Sequence, residues 1–179
     1  MVPAGRAIGP CQPAPAPGTL KRGTGEGVGM TERQPRIVVG VDGSESSKAA
    51  LRWAIGQAKL TGAVVDAVTA WHIPPGYGLA PTPGDVFDFG TNAKGILTEA
   101  LAEVSTLAPD VTVRPQIAEG HAADVLLRAA RGADLLVIGS RGHGGFTSAL
   151  LGSVSLYCVI HARCPVLVMH DLHAAPEAQ

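Results

Sequence analysis

The chain has 179 residues, of which 46% are hydrophobic but only 4% aromatic, and its formal net charge at pH 7 is −1. A near-neutral chain lacks the basic surplus of a general nucleic-acid binder, and no apolar stretch is long enough to span a membrane. We therefore expect a protein that acts on neither nucleic acid nor membranes, with a core of Val, Leu, Ile and Ala.

The N-terminal segment differs in composition from the rest of the chain. Residues 1–29 are dominated by Pro, Gly and Ala and show no apolar period. Such a segment buries too little apolar surface to offset the entropy lost on ordering, so we expect it to be disordered. Met30 opens a segment typical of the start of a compact protein, which leaves open both a translation start at Met30 and a functional tail. We place the tail at 1–34, the folded domain at 35–172 and a flexible C terminus at 173–179.

The cysteines and the N terminus indicate a compartment. The chain has three cysteines, too few for a disulfide framework. The N-terminal residues lack the apolar run of a secretory signal. We therefore expect a cytoplasmic protein with reduced thiols.

The first predicted elements are a strand, a helix and a second strand. Residues 36–42 form a β-branched run ending in Asp-Gly, which is typical of a buried strand entering a turn. A helix follows at 44–62, with serines to cap its start and Gly62 to end it. Its predicted inner face is Ala49, Ala50, Trp53, Ala54, Ala58 and Leu60. The second strand is predicted at 63–72, and Pro and Gly residues mark 73–90 as a loop.

The second half of the chain continues this alternation. Pro115 within the third strand favours a sheet edge, where a missing donor is tolerated. The predicted elements in chain order are a helix at 91–108, a strand at 111–119, a helix at 121–133, a wholly apolar strand at 134–140, a helix at 153–162 and a strand at 164–170.

This element order predicts an α/β fold with a parallel sheet and helices on both faces, because crossovers between parallel strands are right-handed. Ligands of such folds bind outside the carboxyl ends of the strands, where the winding of the chain reverses. Two glycine-containing turns, "VDGS" and "GSRGHGG", follow the first and fourth predicted strands. A ligand site is therefore expected between them.

The segment from Gly139 to Ser155 reads "GSRGHGGFTSALLGSVS" and contains five glycines. Glycines expose consecutive backbone N–H groups, and the helix N-terminus that follows adds further donors and a positive dipole end, so the segment is suited to hold phosphate. An ordinary loop in which Ser153 only caps the helix is the alternative. A Walker-type loop is excluded because the chain has no Gly-Lys pair, and no G-x-G-x-x-G follows a predicted strand.

The same segment fits Gly-x-x-Gly-x₉-Gly-Ser through Gly139, Gly142, Gly152 and Ser153, and in this it resembles the nucleotide-binding signature of the universal stress protein family. The stretches "RIVVGVDGSESSKAALRWA" and "VSLYCVIHARCPVLVM" are similar to the opening and closing parts of that family, so the resemblance covers about residues 35–170. It implies an open five-stranded sheet of order 3-2-1-4-5, Rossmann-like and related to adenine-nucleotide alpha-hydrolases. It also implies a stress-response regulator that binds ATP with Mg²⁺. A member that binds cyclic AMP and a slow ATPase or phosphotransferase are the alternatives.

The resemblance also implies roles for individual residues. Asp42 would accept hydrogen bonds from the ribose hydroxyls, although an ordinary Asp-Gly turn is the alternative at this position. Gly40 and Val41 would flank the adenine, and the backbone around Ala70 and Trp71 would face its edge. The residues expected around the ribose and phosphates are Gly139, Ser140, Arg141, Gly142, His143, Gly152, Ser153, Val154 and Ser155.

Two other patterns in the sequence suggest chemistry but do not support it. Cys158, His161 and Cys164 have the spacing of a metal site, but structural zinc normally takes four ligands, so buried free cysteine is the better interpretation. His143 could be taken for a catalytic acid, but no Ser/His/Asp set can be argued from the spacing. We assign neither a metal site nor a catalytic residue, and we expect ATP turnover to be slow at most.

The last predicted strand, "CPVLVMH", is apolar and has no lysine, and the implied strand order places it at a sheet edge. Such an edge is open to pairing. The family resemblance implies a homodimer in which this strand pairs antiparallel with its own copy, so that Val166 and Val168 meet their symmetry mates or near neighbours. The alternative is that the C-terminal residues "DLHAAPEAQ" fold back over the edge.

Overall fold

One parallel sheet lies at the centre of the computed structural model, which describes residues 33–73, 88–106, 108–142 and 151–170. The five strands of these described residues are β1 (Arg36–Gly40), β2 (Val64–Trp71), β3 (Val113–Glu119), β4 (Leu135–Gly139) and β5 (Val166–Met169). They lie in the order β3-β2-β1-β4-β5, and every neighbouring pair is parallel. The predicted order 3-2-1-4-5 is confirmed, with β3 and its Pro115 at one edge and β5 at the other.

Helices cover both faces of this sheet, as predicted. They are α1 (Glu45–Thr61), α2 (Phe89–Ser105), α3 (Ala122–Ala129) and α4 (Ser153–His161). Alternate residues of a strand point to opposite faces, so Val39 packs with α1 and α2 while Val38 packs with α3 and α4. In the described residues no helix is both long and apolar enough to cross a membrane.

The ends of α1 agree with the prediction, but part of its inner face does not. The Ser44 side chain caps the first turn, and Gly62 ends the helix with a left-handed φ of 69°. Trp53 is 37% exposed and Leu60 is 82% exposed, so both were wrongly placed on the inner face. The buried stripe instead runs through Leu51 and Ile55, together with Ala50, Ala54 and Ala58, because these positions recur every three or four residues.

The start of α2 was predicted too late. The helix begins at Phe89 because the Asp88 carboxylate accepts a hydrogen bond from the Thr91 backbone N–H at 3.0 Å and so caps the first turn. The helix ends at Ser105, ahead of the predicted position 108. The other elements differ from their predicted bounds by a few terminal residues, where helices and strands commonly fray.

Candidate functional site

A cavity of about 490 Å³ opens at the carboxyl ends of β1 and β4, where the winding of the sheet reverses. Residues from three strands and from the starts of α3 and α4 surround it. The lining residues are Gly40, Val41, Asp42, Ser47, Val68, Ala70, Ala122, Leu126, Ile138, Gly139, Arg141, Gly142, Leu151, Gly152, Ser153, Val154 and Ser155. Asp42 from the first turn singled out in the sequence and Gly139, Arg141 and Gly142 from the second thus line one cavity.

Most of the residues that the sequence assigned to ligand binding line this cavity. They are Gly40, Val41, Asp42, Gly139, Arg141, Gly142, Gly152, Ser153, Val154 and Ser155. Trp71 and Ser140 are not among the lining residues, and His143 lies outside the described residues.

The Trp71 side chain lies on the opposite face of the sheet. A Cβ atom built on Gly90, at the start of α2, would be 3.7 Å from Trp71 Cε2, and the Trp71 carbonyl accepts a hydrogen bond from the Gly120 N–H at 2.8 Å. Ala70 lines the cavity instead, because neighbouring side chains of a strand alternate between faces. At the end of β2, the cavity therefore receives Ala70 and not the Trp71 indole.

Ser140 supports the cavity wall from behind. Its side chain is buried, its N–H donates to the Met169 carbonyl at 2.7 Å, and its carbonyl accepts from the Gly152 N–H at 2.7 Å. These bonds join the end of β4 to the end of β5 and to the residue before α4. Ser140 therefore positions Gly152 and does not itself face the cavity.

Asp42 combines a turn role with a position on the cavity wall. Its Oδ1 accepts hydrogen bonds from the Ser44 N–H at 3.0 Å and the Ser44 hydroxyl at 2.6 Å, and Gly43 has a positive φ of 89°. Its Oδ2 lies close to Gly142, where a Cβ would approach it to 2.5 Å. The Asp-Gly turn considered as an alternative is therefore present, and it holds the Asp42 carboxylate close to Gly142.

The N-terminus of α4 borders the cavity without a cap. Gly152 precedes the helix in an extended conformation and has no side chain to accept from the first N–H groups, and the first turn contains no acidic residue. In the described chain, α1 and α2 have side-chain caps from Ser44 and Asp88, and α3 has Asp124 in its first turn. A helix N-terminus carries about half a positive charge. The start of α4 therefore has neither a side-chain cap nor an acid in its first turn, an arrangement that suits an anionic ligand.

Gly139 and Gly152 differ in whether a side chain would fit at the position. A Cβ on Gly139 would collide with the Ser46 hydroxyl and lie 2.9 Å from the Ser47 backbone nitrogen, so α1 itself requires glycine there. A Cβ on Gly152 would meet only ordinary contacts, the nearest being the Ser140 carbonyl oxygen at 3.5 Å. The described protein atoms therefore leave room for a side chain at position 152.

Two serines hold the backbone of residues 139–141 in place. The Ser155 hydroxyl donates to the Gly139 carbonyl at 2.7 Å, and the Ser46 hydroxyl donates to the Arg141 carbonyl at 2.6 Å. Ser155 is buried, so its hydroxyl proton is already used within the protein. Ser153 is exposed at the start of α4 and remains available to a ligand.

Of the apolar wall of the cavity, only Ala70 was expected from the sequence. Val68, Ala70 and Ile138 contribute to it from the strands, and Ala122 and Leu126 contribute from α3, one helical turn apart. The strand residues share the face that packs against α3 and α4, so the alternation of side chains could have identified them. Ser47 and Leu151 complete the lining residues that were not predicted. The cavity therefore joins an apolar side to a side with hydrogen-bond donors and a carboxylate.

The cysteine pattern has no metal-binding geometry. Cys158 is fully buried, and burial raises the pKa of its thiol to about 11. His161 donates from Nδ1 to the carbonyl of Tyr157 at 2.9 Å, since a carbonyl can only accept. Within the described ranges, no group of three His, Cys, Asp or Glu side chains could hold a metal ion.

Comparison with known proteins identifies relatives. Residues 35–170 match the model of the Universal stress protein family. A universal stress protein of Mycolicibacterium smegmatis is 36% identical over 137 residues, which cover 74% of this chain and 45% of that protein. The chain spans about half the length of the curated relatives it matches.

Solved structures show the same fold. A universal stress protein in complex with cAMP aligns over 76% of this chain and 97% of its own, with a TM-score of 0.59 and 28% identity. A universal stress protein family member from Burkholderia pseudomallei aligns over 75% of this chain and 94% of its own, with a TM-score of 0.53 and 29% identity.

Proposed function

The chain belongs to the universal stress protein family, and we propose that it binds ATP in the cavity at the ends of β1 and β4 as a nucleotide-dependent regulator of a stress response. The observation that carries this proposal is that the uncapped start of α4 and the Asp42 carboxylate line one cavity that also has an apolar wall. A nucleotide needs these three surfaces, for its phosphates, its ribose and its base.

The base fits the apolar wall. Val68, Leu126 and Ile138 would exclude water from the faces of a planar heterocycle, and burial of apolar surface drives such binding. Gly40 lies beneath Leu126, because a Cβ there would approach Leu126 Cδ1 to 3.0 Å. The small residue at position 40 thus lets Leu126 close the wall.

The ribose fits Asp42. A carboxylate can accept from both hydroxyls of a ribose, and among the described residues only Ser44 donates to it, through Oδ1. Oδ2 lies toward Gly142 on the cavity side. Asp42 is therefore the residue that we expect to distinguish a ribose with two free hydroxyls from one with fewer.

The phosphates fit the start of α4. The N–H groups of its first turn and the positive dipole end favour anions, and Arg141, which also lines the cavity, adds a positive charge. Mg²⁺ usually binds through phosphate oxygens, waters and one or two carboxylates. Asp42 is the carboxylate among the described lining residues, so the metal would be held mainly by the nucleotide.

We propose a binding module with little catalytic power. The described lining contains no His, Lys, Cys or Glu, and Asp42 is assigned to the ribose, so none of the described lining residues is positioned as a general base. An ATPase or phosphotransferase is the enzymatic alternative. Release of inorganic phosphate from ATP at a rate typical of enzymes, about 1 per second or faster, would contradict the proposed module.

Cyclic AMP is a second candidate, because a relative of 28% identity with the same fold was solved in complex with cAMP. Cyclic AMP has a free 2′-hydroxyl but an esterified 3′-oxygen, so Asp42 could accept from only one ribose hydroxyl. Asp42→Asn should therefore weaken ATP binding more than cyclic AMP binding. Equal losses for the two nucleotides would contradict the assignment of Asp42 to both hydroxyls.

Calorimetric titration with ATP, ATP plus Mg²⁺, cyclic AMP and GTP tests the proposal. We expect ATP with Mg²⁺ to bind most tightly and GTP most weakly. Tighter binding of cyclic AMP would select the second candidate, and absence of binding by every adenine nucleotide would overturn the proposal. Identification of the nucleotide that copurifies with the protein gives an independent check.

We also propose that the protein is a homodimer through β5. In the described residues β5 pairs with β4 on one side, its residues are only half-buried, and Val166 and Val168 lie on the face of α3 and α4. Light scattering at micromolar concentration should give a dimer. Val168→Pro, which would disrupt the shared strand pairing, should shift the protein to monomer. A monomeric wild type would rule out this interface.

A further inference from the structure

A second cavity, of about 380 Å³, lies beside the C-terminal ends of α3 and α4. Arg128, Arg131, Arg163 and His161 line it together with one acidic residue, Asp124. It shares no lining residue with the first cavity. Three guanidinium groups and an imidazole are therefore gathered around a single opening.

These guanidinium groups have no partners in the described part of the protein. None of the three arginines forms a side-chain hydrogen bond or an ion pair there, and Asp124 forms no ion pair. Other arginines nearby are fully engaged: Arg33 pairs with Asp134 at 2.7 Å and Arg36 with the buried Asp66 at 2.8 Å. Among the described lining residues, Asp124 is thus the one acid that can offset the arginine charges of the second cavity.

The negative C-terminal ends of α3 and α4 offset only part of the arginine charge in the second cavity. The C-terminus of a helix carries about half a negative charge, which attracts basic side chains. At the end of α3, Arg36 donates to the carbonyl of Ala129, the last residue of the helix, at 3.0 Å and to the carbonyl of Arg131, just beyond the helix, at 2.6 Å. Two helix ends and the Asp124 carboxylate together oppose about two of the three arginine charges. A positive excess remains.

We propose that this second cavity binds a small phosphate-bearing anion. Arginine presents a planar fork of donors that matches phosphate oxygens, and several arginines around one opening can share one polyphosphate group. The His161 ring stacks on Tyr157 with ring centroids 4.0 Å apart, and its Nδ1 hydrogen bond fixes its orientation beside the arginines. The cavity volume suits a small molecule better than an extended polymer.

The test uses sodium tripolyphosphate and the full chain carrying Gly152→Asp, a substitution that we expect to exclude anions from the first cavity. Isothermal titration compares this protein with one that also carries Arg128→Gln and Arg163→Gln. The matched control carries Lys94→Gln and Arg114→Gln, because these two exposed cations line neither cavity. Thermal unfolding of each protein checks that the fold is kept.

We expect the two cavity substitutions to weaken tripolyphosphate binding by about tenfold or more, and the control pair by less than about twofold. An equal loss in both proteins would show that only net charge matters and would overturn the site. Absence of tripolyphosphate binding to the Gly152→Asp protein would also overturn it. Citrate binding as tight as tripolyphosphate binding would overturn the assignment to phosphate.

Discussion

The N-termini of α1 and α4 lie at the same edge of the sheet but are completed in opposite ways. At α1, the Ser44 hydroxyl accepts from the Ser47 N–H at 3.3 Å, and Glu45 places a negative charge near the positive end of the helix dipole. At α4, Gly152 offers no cap and the first turn has no acid. The protein satisfies the first helix end itself, whereas the second helix end has neither a side-chain cap nor an acid in its first turn.

This difference shows how local residues divide structural and binding roles between similar elements. Both helices follow a strand whose end borders the same cavity, so their position in the fold does not distinguish them. What differs is whether the nearby side chains supply acceptors to the first turn. A helix N-terminus that borders a cavity and lacks side-chain acceptors is therefore a better indication of anion binding than the position of the helix in the fold.

The largest expected effect comes from adding a side chain at the uncapped N-terminus of α4. Gly152→Asp places a carboxylate where the phosphates are proposed to bind, and we expect ATP affinity to fall by about 100-fold or more, or about 2.8 kcal/mol. The same carboxylate can cap α4, so the free energy of unfolding should rise by about 0.5 kcal/mol. Titration calorimetry and chemical denaturation measure the two effects.

Gly152→Asn is the matched control for this change. Asparagine can cap the helix without adding charge, and the position has room for a side chain. We expect an affinity loss of about tenfold or less. Equal affinity of wild type and Gly152→Asp would show that α4 does not hold the phosphates.

The next largest effect is expected from the packing of Gly139 against the N-terminus of α1. Gly139→Ala would push a methyl group into Ser46 and Ser47 of the first turn of α1, so we expect the free energy of unfolding to fall by about 1–3 kcal/mol. Gly56→Ala, on the exposed side of α1 with open space around it, should instead raise it by about 0.5–1 kcal/mol. Similar values for both variants in urea denaturation would contradict this packing.

A smaller effect is expected from removing the side-chain cap at the N-terminus of α1. Ser44→Ala removes the cap of α1, and the free energy of unfolding should fall by about 1 kcal/mol. Ser153→Ala, at the start of α4, removes no cap and should change it by less than about 0.5 kcal/mol. The contrast fails if the two serines prove equally important in thermal or urea unfolding.

The smallest effect concerns the segment before both helices. We propose that the folded domain occupies residues 35–172, so deletion of 1–29 should change the melting temperature by less than about 2 °C. Nucleotide affinity should stay the same. A large drop in melting temperature in differential scanning calorimetry would place part of that segment in the folded domain.

Much of the fold followed from the order of apolar runs and helix stop signals. The proline in β3 indicated an edge position, and this is confirmed. The errors arose where short-range patterns are ambiguous. In an alanine-rich helix several stripes compete, so Trp53 and Leu60 were placed inside although both are exposed.

The candidate site was predictable where it depends on turns and glycines and less so where it depends on tertiary packing. The positions of Asp42 and Gly152 followed from motifs at strand ends. Leu126 was missed because α3 reaches the cavity only through the crossover that folds it over the sheet. Ser140 matches the motif, but its backbone joins β4 to β5 and its side chain is buried.

The two backbone bonds of Ser140 have a thermodynamic consequence. They connect Gly152, at the proposed phosphate end of the cavity, to Met169 at the end of the edge strand β5. A ligand that displaces Gly152 therefore acts on the strand through two hydrogen bonds. If that strand pairs with a second copy, occupancy and association share one coupling free energy, and each alters the other by the same factor. The affinity for nucleotide would then depend on protein concentration.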